Sequence, residues 1–173
     1  MNLNQLTIPV KIKNDKFIDG RGYFQEIYLK KKFNLQIKFT AIAYSKKNVI
    51  RGLHFQLKNK QSKLIYVSNG KILDVAVNLK KNSKNFGKIF KYVLKEGDIL
   101  FLPKFYAHGY ECLSRRSTVL YHLEKYRDAK SESGIPFNDK ILNIKWVTKN
   151  PIISKRDKSH TSFEEFVKKY KGL

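Results

Sequence analysis

The 173 residues are enough for one compact domain, expected to span 1–173, and a hydrophobic content of 42% can supply a single core. The formal charge of +22 is spread over lysines along the whole chain, which argues against a nucleic-acid-binding patch and favours a small anionic substrate. No apolar run approaches the ~18 residues of a membrane span and the N-terminus lacks a signal-peptide pattern, so we expect a cytoplasmic protein that binds neither nucleic acid nor membrane.

Short strands dominate the pattern along the chain. Runs rich in Val, Ile, Tyr and Phe are separated by Gly, Asn, Asp and Ser turns at intervals of about 8 to 12 residues, which is typical of an all-β sandwich or barrel. A strand-like LTIPVKIK comes first, a short helix is predicted at LKKKFN (29–34), and Asn69-Gly70 predicts a β-hairpin turn. The strand-like runs that follow are KFTAIAYS, VIRGLHFQL, KLIYVSNG, KILDVAVNL, GKIFKYVL, GDILFLP and STVLYHLEKY.

The C-terminal segment predicts a helix instead of a strand. Ser162 and Glu165 form a capping-box pattern ahead of an apolar face that contains Phe163 and Phe166. We therefore expect a helical tail over about residues 160–171.

Two histidine-bearing stretches resemble the two motifs of cupin barrels. In GDILFLPKFYAHGY a strand ends at Pro103 and a turn leads to His108, as in the second motif, while RGLHFQ stands where the first motif lies. The resemblance implies a double-stranded β-helix (cupin or jelly-roll) barrel, with His54 and His108 facing one cavity.

The chain offers few metal ligands for such a cavity. Position 56 is Gln, so His54 has no His-x-His partner, and strand alternation places His122 on the face opposite Tyr121. A lone Cys112 suits neither a disulfide nor a structural zinc site and is expected to fill the core. We therefore predict no metal.

Without a metal, the cavity is equipped for proton transfer. His54 is a base near neutral pH, Tyr121 is a weak acid, and Lys63 and Arg51 can stabilise negative charge. A base and an acid on opposite sides of a carbonyl-bearing substrate suit epimerisation through an enolate. Each residue also has a structural interpretation: His54 and Tyr121 as core residues, and Lys63 as a solvated charge. Alternation places Arg51 opposite His54 unless the strand bulges at Gly52.

Six stretches, in order, resemble the dTDP-4-dehydrorhamnose 3,5-epimerase family of cupin-fold sugar-nucleotide epimerases, over roughly residues 5–157. They are DGRGYFQEIY (19–28), VIRGLHFQ (49–56), QSKLIYVSNGKILDVAVNLKKNSKNFGK (61–88), LFLPKFYAHGYECLS (100–114), VLYHLEKYRDAKSESGIPFNDKILNIKW (119–146) and PIISKRD (151–157). The resemblance implies an isomerase without metal or cofactor that converts dTDP-4-dehydro-6-deoxy-D-glucose to dTDP-4-dehydro-L-rhamnose. Such a reaction supplies deoxysugars for surface polysaccharide such as the lipopolysaccharide O-antigen.

The resemblance also implies roles for individual residues. His54 would be the general base, paired with Asp157, and Tyr121 would be the acid on the opposite face. Lys63 would stabilise the enolate oxygen. The residues implied to bind the sugar nucleotide are Phe17, Arg21, Glu26, Arg51, His108, Tyr126, Glu132 and Arg156.

Several alternatives stay open at the level of sequence. Phe39 and Ala41 stand where the family usually carries Gln and Asn, so the nucleotide, the sugar and the choice between C3 alone and both carbons are undecided. A basic binding module without catalysis and a homologue that only binds sugar nucleotides are further alternatives. The resemblance implies a homodimer, and the strand-like LTIPVKIK, which needs a sheet to join, offers weak independent support.

Overall fold

The computed structural model describes residues 2–173, and β-strands account for most of its regular structure. The strands are β1 (Val10–Ile12), β2 (Phe17–Asp19), β3 (Gly22–Phe24), β4 (Phe39–Lys46), β5 (Ile50–Gln56), β6 (Lys63–Asn69), β7 (Lys71–Asn78), β8 (Ile89–Lys95), β9 (Ile99–Leu102), β10 (Tyr106–Cys112), β11 (Arg116–Leu123) and β12 (Glu132–Gly134). The helices are α1 (Lys30–Phe33), α2 (Lys155–Lys158) and α3 (Phe163–Tyr170), and Leu3–Gln5 forms a 3-10 turn. No helix within residues 2–173 has the length and apolar character to cross a membrane.

Two antiparallel sheets of five strands each pack face to face. Their strand orders are β1-β9-β6-β11-β4 and β12-β5-β10-β7-β8, and β2 and β3 form a separate two-stranded hairpin. The apolar layer between the sheets joins Val67 and Val119 of the first sheet to Ile72 and Ala76 of the second. The predicted all-β, cupin-like architecture is confirmed, and Cys112 is buried as predicted.

The C-terminal helix α3 covers the outer face of the second sheet. Phe163 and Phe166 pack in one cluster with Phe55 and Val75, and the predicted capping box at the start of α3 is present. Every residue of β7 after Lys71 is buried, because one face of this strand meets the first sheet and the other meets the cluster around α3. The helices predicted near 29–34 and within 160–171 are confirmed, whereas nothing in the sequence pattern predicts α2.

The prediction of a β-hairpin at Asn69-Gly70 is wrong, although the chain does turn there. β6 pairs with β9 and β11, while β7 pairs with β8 and β10. The turn therefore carries the chain from one sheet to the other. Gly70 has φ +85°, and a Cβ there would lie 2.3 Å from the carbonyl oxygen of Arg116. Turn residues predict a change of direction, but the burial of each strand decides which strand it pairs with.

The N-terminal strand finds its partner within the chain. The strand-like LTIPVKIK is ordered as β1, whose Val10 and Ile12 pair with Phe101 and Ile99 of β9. This strand therefore lends no support to a dimer.

Strand β5 contains a β-bulge at Gly52. Arg51 and His54 can face the same cavity only if such a bulge is present. His108 of β10 pairs with His54, and Tyr110 pairs with Arg51. Between these two pairs the chain moves three positions along β5 but only two along β10, so β5 contains one extra residue. Gly52 adopts φ +113°, which a residue with a side chain rarely does. The extra residue turns Arg51 to the face that carries His54. The predicted bulge is confirmed.

Gly52→Ala should disrupt this bulge. A Cβ would lie 2.6 Å from the carbonyl oxygen of His108 and 2.7 Å from Gly109 Cα, both backbone atoms. With the unfavourable φ added, we expect the free energy of unfolding to fall by at least about 2 kcal/mol in urea denaturation. The matched control is Gly20→Ala, because nothing lies within 4 Å of a Cβ at Gly20. Equal losses of stability in the two variants would contradict the close approach at Gly52.

Candidate active site

A cavity of about 370 Å³ opens between the two sheets. Its lining includes Phe39 and Ala41, two positions at which the sequence departs from the family pattern. Six of the predicted site residues also line it: Arg51, His54, Lys63, His108, Tyr121 and Glu132. The volume lies in the range of small-molecule binding sites.

The two walls of this cavity come from different sheets. His54 of β5 and His108 of β10 are Cα partners, so their side chains share one face of the second sheet. Lys63 of β6 pairs with Leu123, which lies two residues from Tyr121 on β11. Lys63 and Tyr121 therefore share one face of the first sheet. A base and an acid are available on opposite walls.

His54 is hydrogen-bonded to Asp157, with 2.7 Å between Nε2 and Oδ1. An ionised carboxylate only accepts hydrogen bonds, so the neutral imidazole carries its proton on Nε2 and keeps a lone pair on Nδ1. The other carboxylate oxygen accepts the backbone N–H of Gly52 at 3.1 Å. The pairing implied by the family resemblance is present, and it holds the imidazole in one tautomer and one orientation.

Asp157 is held in its ionised form by its surroundings. It lies in the one-turn helix α2, whose N-cap Ser154 accepts the Asp157 N–H at 3.0 Å. Burial alone would raise the pKa of Asp157, but the hydrogen bond and charge of His54 and the Gly52 N–H outweigh it and lower the pKa to about 2. The carboxylate is therefore charged at neutral pH.

A second histidine–carboxylate pair lies beside the first. His108 Nε2 is 2.8 Å from Asp74 Oδ2, and both side chains are buried. Burial lowers the pKa of His108, although Asp74 acts in the opposite direction, so this imidazole is neutral at pH 7. The ring of His108 meets the edge of Tyr121 with 5.9 Å between centroids, which brings the two walls into contact.

The opposite wall presents an ammonium group and a phenol. Burial lowers the pKa of Lys63 to about 8, and the charges of Asp74 and Glu132 partly offset this effect. Burial also raises the pKa of Tyr121 well above its ordinary value, with further upward contributions from Tyr110 and Asp74. At pH 7 Lys63 is mostly charged and Tyr121 is a neutral O–H donor.

Arg51 is held in the cavity wall by strand β4 of the first sheet. Its Nε donates to Ser45 Oγ at 2.9 Å, and its Nη2 donates to the carbonyl oxygen of Tyr44 at 2.8 Å. The hydroxyl of Ser45 is in turn hydrogen-bonded to that of Tyr110. The guanidinium is thus oriented before any anionic ligand arrives.

A glutamate paired with two arginines and a stacked pair of aromatic rings border the same cavity. Glu132 forms ion pairs with Arg127 at 2.6 Å and with Arg156 at 3.3 Å. Phe39 stacks on Tyr126 with 6.2 Å between centroids and 14° between ring planes, and Tyr126 is 69% exposed. The predicted residues Tyr126 and Arg156 therefore lie next to residues that line the cavity.

Comparison with known proteins points to one family. The family described as dTDP-4-dehydrorhamnose 3,5-epimerase matches residues 5–165. The enzyme of that name from Shigella flexneri is 36% identical over 168 residues, which cover 91% of this chain and 93% of the relative. The crystal structure of the Bacillus anthracis enzyme with TDP and PPi bound has a TM-score of 0.87 and 34% identity, covering 94% of this chain and 97% of that one.

The chain belongs to the dTDP-4-dehydrorhamnose 3,5-epimerase family. A related epimerase from Legionella pneumophila, in complex with dTDP-4-keto-L-rhamnose, has a TM-score of 0.85 at 28% identity and covers 92% of this chain and 90% of its own. Membership of the epimerase family confirms the predicted enzyme class, an isomerase with a cupin-like fold.

Three residues that the family resemblance implies for nucleotide binding lie outside the cavity of their own chain. Phe17 and Arg21 belong to the β2–β3 hairpin and Glu26 follows it, and none of the three lines the cavity. The hairpin instead packs on the turn between β8 and β9, where Gln25 donates to the carbonyl oxygen of Gly97. Within one chain these three residues therefore do not join His54 and its neighbours.

Asp74 and Arg127 are among the residues of the site that were not singled out from the sequence. Asp74 did carry a signal, because a carboxylate inside the apolar run KILDVAVNL needs a buried partner. Arg127 carried none, since its pairing with Glu132 depends on the fold of the intervening loop.

The remaining histidines lie on different sides of the site. His122 faces away from the cavity as predicted, with its Nδ1 2.8 Å from Thr40 Oγ1 and its ring stacked on Tyr28. His160 was missed, yet its Nε2 lies 3.7 Å from Asp157 Oδ1. Only its position three residues after Asp157 could have drawn attention to it.

The absence of a metal stays a prediction.

Lys63→Met should stabilise the protein near neutral pH. The pKa of Lys63 is about 8 in the folded protein against its ordinary 10.5, so between these values the unfolded chain binds more protons and the stability contributed by this site rises with pH. Removing the cation should raise the free energy of unfolding at pH 7 by about 1 to 3 kcal/mol.

The difference between Lys63→Met and the unchanged protein should shrink as the pH rises towards 10, when measured by urea denaturation at each pH. Lys58→Met, which removes an exposed cation, is the control and should show no such trend. A Lys63→Met variant that is less stable at pH 7 would contradict the desolvated lysine.

Proposed function

We propose that this chain epimerises dTDP-4-dehydro-6-deoxy-D-glucose at C3 and C5, giving dTDP-4-dehydro-L-rhamnose. The observation that carries the proposal is the His54–Asp157 pair on one wall of a cavity whose opposite wall presents Lys63 and Tyr121. Related epimerases with TDP or dTDP-4-keto-L-rhamnose bound support a nucleotide sugar as the ligand. Residues 1–173 would form one catalytic domain that needs no cofactor.

In the first step, His54 Nδ1 removes the proton from C5 of the 4-keto sugar. The electron pair of the broken C–H bond forms a C4–C5 double bond, and the carbonyl π pair moves to O4. Lys63 stabilises this enolate oxygen, while Asp157 stabilises the imidazolium that forms.

In the second step, Tyr121 protonates C5 from the opposite face as the enolate returns to the ketone. The pKa of Tyr121 is raised by burial, so the phenol holds its proton until the basic enolate carbon accepts it. The imidazolium and the tyrosinate then recover their starting forms by proton exchange with water, and the same two steps invert C3.

Arg51, His108 and Glu132 would bind the sugar nucleotide, with Arg51 facing the diphosphate or the sugar. Tyr126 would flank the base and Arg156 would lie beside Glu132. Phe39 and Ala41 give this part of the cavity a more apolar lining than the usual Gln and Asn, so another nucleotide is the alternative substrate. Epimerisation at C3 alone is the alternative reaction.

Incubation with the dTDP-linked 4-keto sugar in deuterated water tests both the reaction and its alternatives. The expected result is deuterium at C3 and at C5 of the product. Deuterium at C3 alone would select the monoepimerase, and turnover restricted to another nucleotide would select the alternative substrate. No exchange at either carbon would contradict the proposed function.

Replacing His54 and replacing Tyr121 should impair different parts of the reaction. His54→Asn should lose exchange and epimerisation together, because the base is gone. Tyr121→Phe should still incorporate deuterium into the recovered substrate, because His54 is intact. The rate of inversion should fall by at least about a hundredfold. His122→Gln is the control, since its side chain faces away from the cavity, and it should keep normal turnover. Inversion retained in Tyr121→Phe would rule out this acid.

We further propose a homodimer in which the β2–β3 hairpin completes the site of a second copy. Phe17, Ile18 and Phe24 of the hairpin are 59%, 78% and 66% exposed, and the Arg21 side chain is 92% exposed. Exposed apolar groups at a hairpin favour contact with another surface. Such contact would bring Phe17, Arg21 and Glu26 to a sugar-nucleotide site that they do not reach within one chain.

The cytoplasmic location stays a prediction.

Mixing two inactive variants tests this arrangement. His54→Asn destroys the cavity of its own chain, and Arg21→Ala impairs the site to which its hairpin contributes. Refolding the two together should restore about a quarter of normal turnover, since half of the dimers then hold one intact site. Mixing His54→Asn with Tyr121→Phe, both in one cavity, is the control and should restore none. Absence of rescue in the first mixture would contradict the shared site.

A further inference from the structure

His160 lies against the catalytic pair but has no polar partner of its own. Its side chain is only 9% exposed, and its Nε2 has no hydrogen-bond partner among the described residues. This nitrogen is 3.7 Å from Asp157 Oδ1, and the His160 ring stands edge-on to His54 with 5.6 Å between centroids. A buried imidazole nitrogen without a partner is costly unless something binds to it.

His54, Asp157 and His160 bring three potential metal-ligand atoms close together. One ligand atom each from His54, Asp157 and His160 lies within 4.8 Å of the other two. Zinc bonds to histidine nitrogen and carboxylate oxygen at about 2.0 to 2.2 Å, which places tetrahedral ligands about 3.3 Å apart. The observed 2.7 Å from His54 and 3.7 Å from His160 to Asp157 Oδ1 bracket this spacing.

The chemistry of the three side chains also suits a cation. Asp157 offers carboxylate oxygens that already accept hydrogen bonds from His54 and from the Gly52 N–H, and His160 offers a buried nitrogen without a hydrogen-bond partner among the described residues. Metal ligation requires a deprotonated carboxylate and neutral imidazoles.

We propose that His54, Asp157 and His160 bind a divalent ion of the zinc type, and that this ion switches the epimerase off. The ion would bond to His54 Nε2 in place of the proton there, and the proton of the neutral imidazole would then sit on Nδ1, so Nδ1 would lose the lone pair that makes it a base. The inhibitory consequence rests on the proposed function, whereas the metal site stands on geometry alone. The ion would be an inhibitor of a reaction that needs no metal.

Metal binding is measured first, without substrate. Titration of the full chain with Co²⁺ should give the intense visible absorption of a tetrahedral complex at one ion per chain, and Zn²⁺ should displace it. His160→Asn should weaken the affinity at least about tenfold. His160→Cys should retain binding and add a thiolate-to-cobalt absorption band, which a merely structural residue would not produce.

His122→Gln is the matched control for the binding experiment. The Nε2 of His122 is also buried without a partner, but His122 belongs to no three-ligand cluster among residues 2–173. Its replacement should leave the cobalt titration unchanged. Cobalt affinity that is equal in the unchanged protein and in His160→Asn would overturn the site.

Inhibition is measured next, in zinc buffers of defined free concentration. Zinc should lower kcat, EDTA should restore it, and the concentration for half-inhibition should rise at least about tenfold in His160→Asn. Activity of each variant is expressed relative to its own metal-free rate. Zinc bound at this site without loss of turnover would overturn the proposed switch. If the metal-free chain shows no epimerisation, the proposed function fails while the cobalt titration still decides the metal site.

Discussion

The close approach of β5 and β10 at two facing glycines governs the geometry of the site. A Cβ at Gly52 would meet Gly109 Cα at 2.7 Å, and a Cβ at Gly109 would meet the carbonyl oxygen of Arg51 at 2.5 Å. Only this contact lets β5 bulge so that Arg51 and His54 face one cavity. The same bulge points the Gly52 N–H at Asp157. One backbone irregularity thus orients the guanidinium, the imidazole and the carboxylate.

Three carboxylates at the site of this strongly basic protein are paired with imidazole or guanidinium groups. Asp157 and Asp74 each bond a histidine, and Glu132 bonds two arginines. Lys63 differs, because no ion pair within 4.0 Å compensates its desolvation within the described residues, and its pKa falls to about 8. A cation that is poorly compensated in the free protein is available to an oxyanion that develops during the reaction.

Small elements near the C-terminus complete a site whose walls are formed earlier in the chain. The single turn of α2 is capped by Ser154 and carries Asp157 to a strand more than a hundred residues away in sequence. Helix α3 then anchors this segment, because Phe163 and Phe166 are buried against the second sheet. The same return of the chain leaves His160 beside the pair, so one short segment supplies both the orienting carboxylate and the extra imidazole.

The sequence by itself determined what depends on local periodicity. Alternation along STVLYHLEKY put Tyr121 and His122 on opposite faces, the capping box marked the start of α3, and Asn69-Gly70 marked a turn. It also required a bulge at Gly52 if Arg51 was to share a cavity with His54. The family resemblance, which rests on motifs in order, supplied the partnership of His54 with Asp157.

Only the tertiary structure decided what depends on pairing between distant segments. It separated β6 and β7 into different sheets, joined His108 to Asp74, and brought His160 to Asp157. It also kept Arg21 and its hairpin out of the cavity of their own chain. A local pattern specifies which face of a strand is buried, but which strand lies beside it depends on how the whole core packs. Contacts between residues far apart in sequence therefore follow from the packed fold.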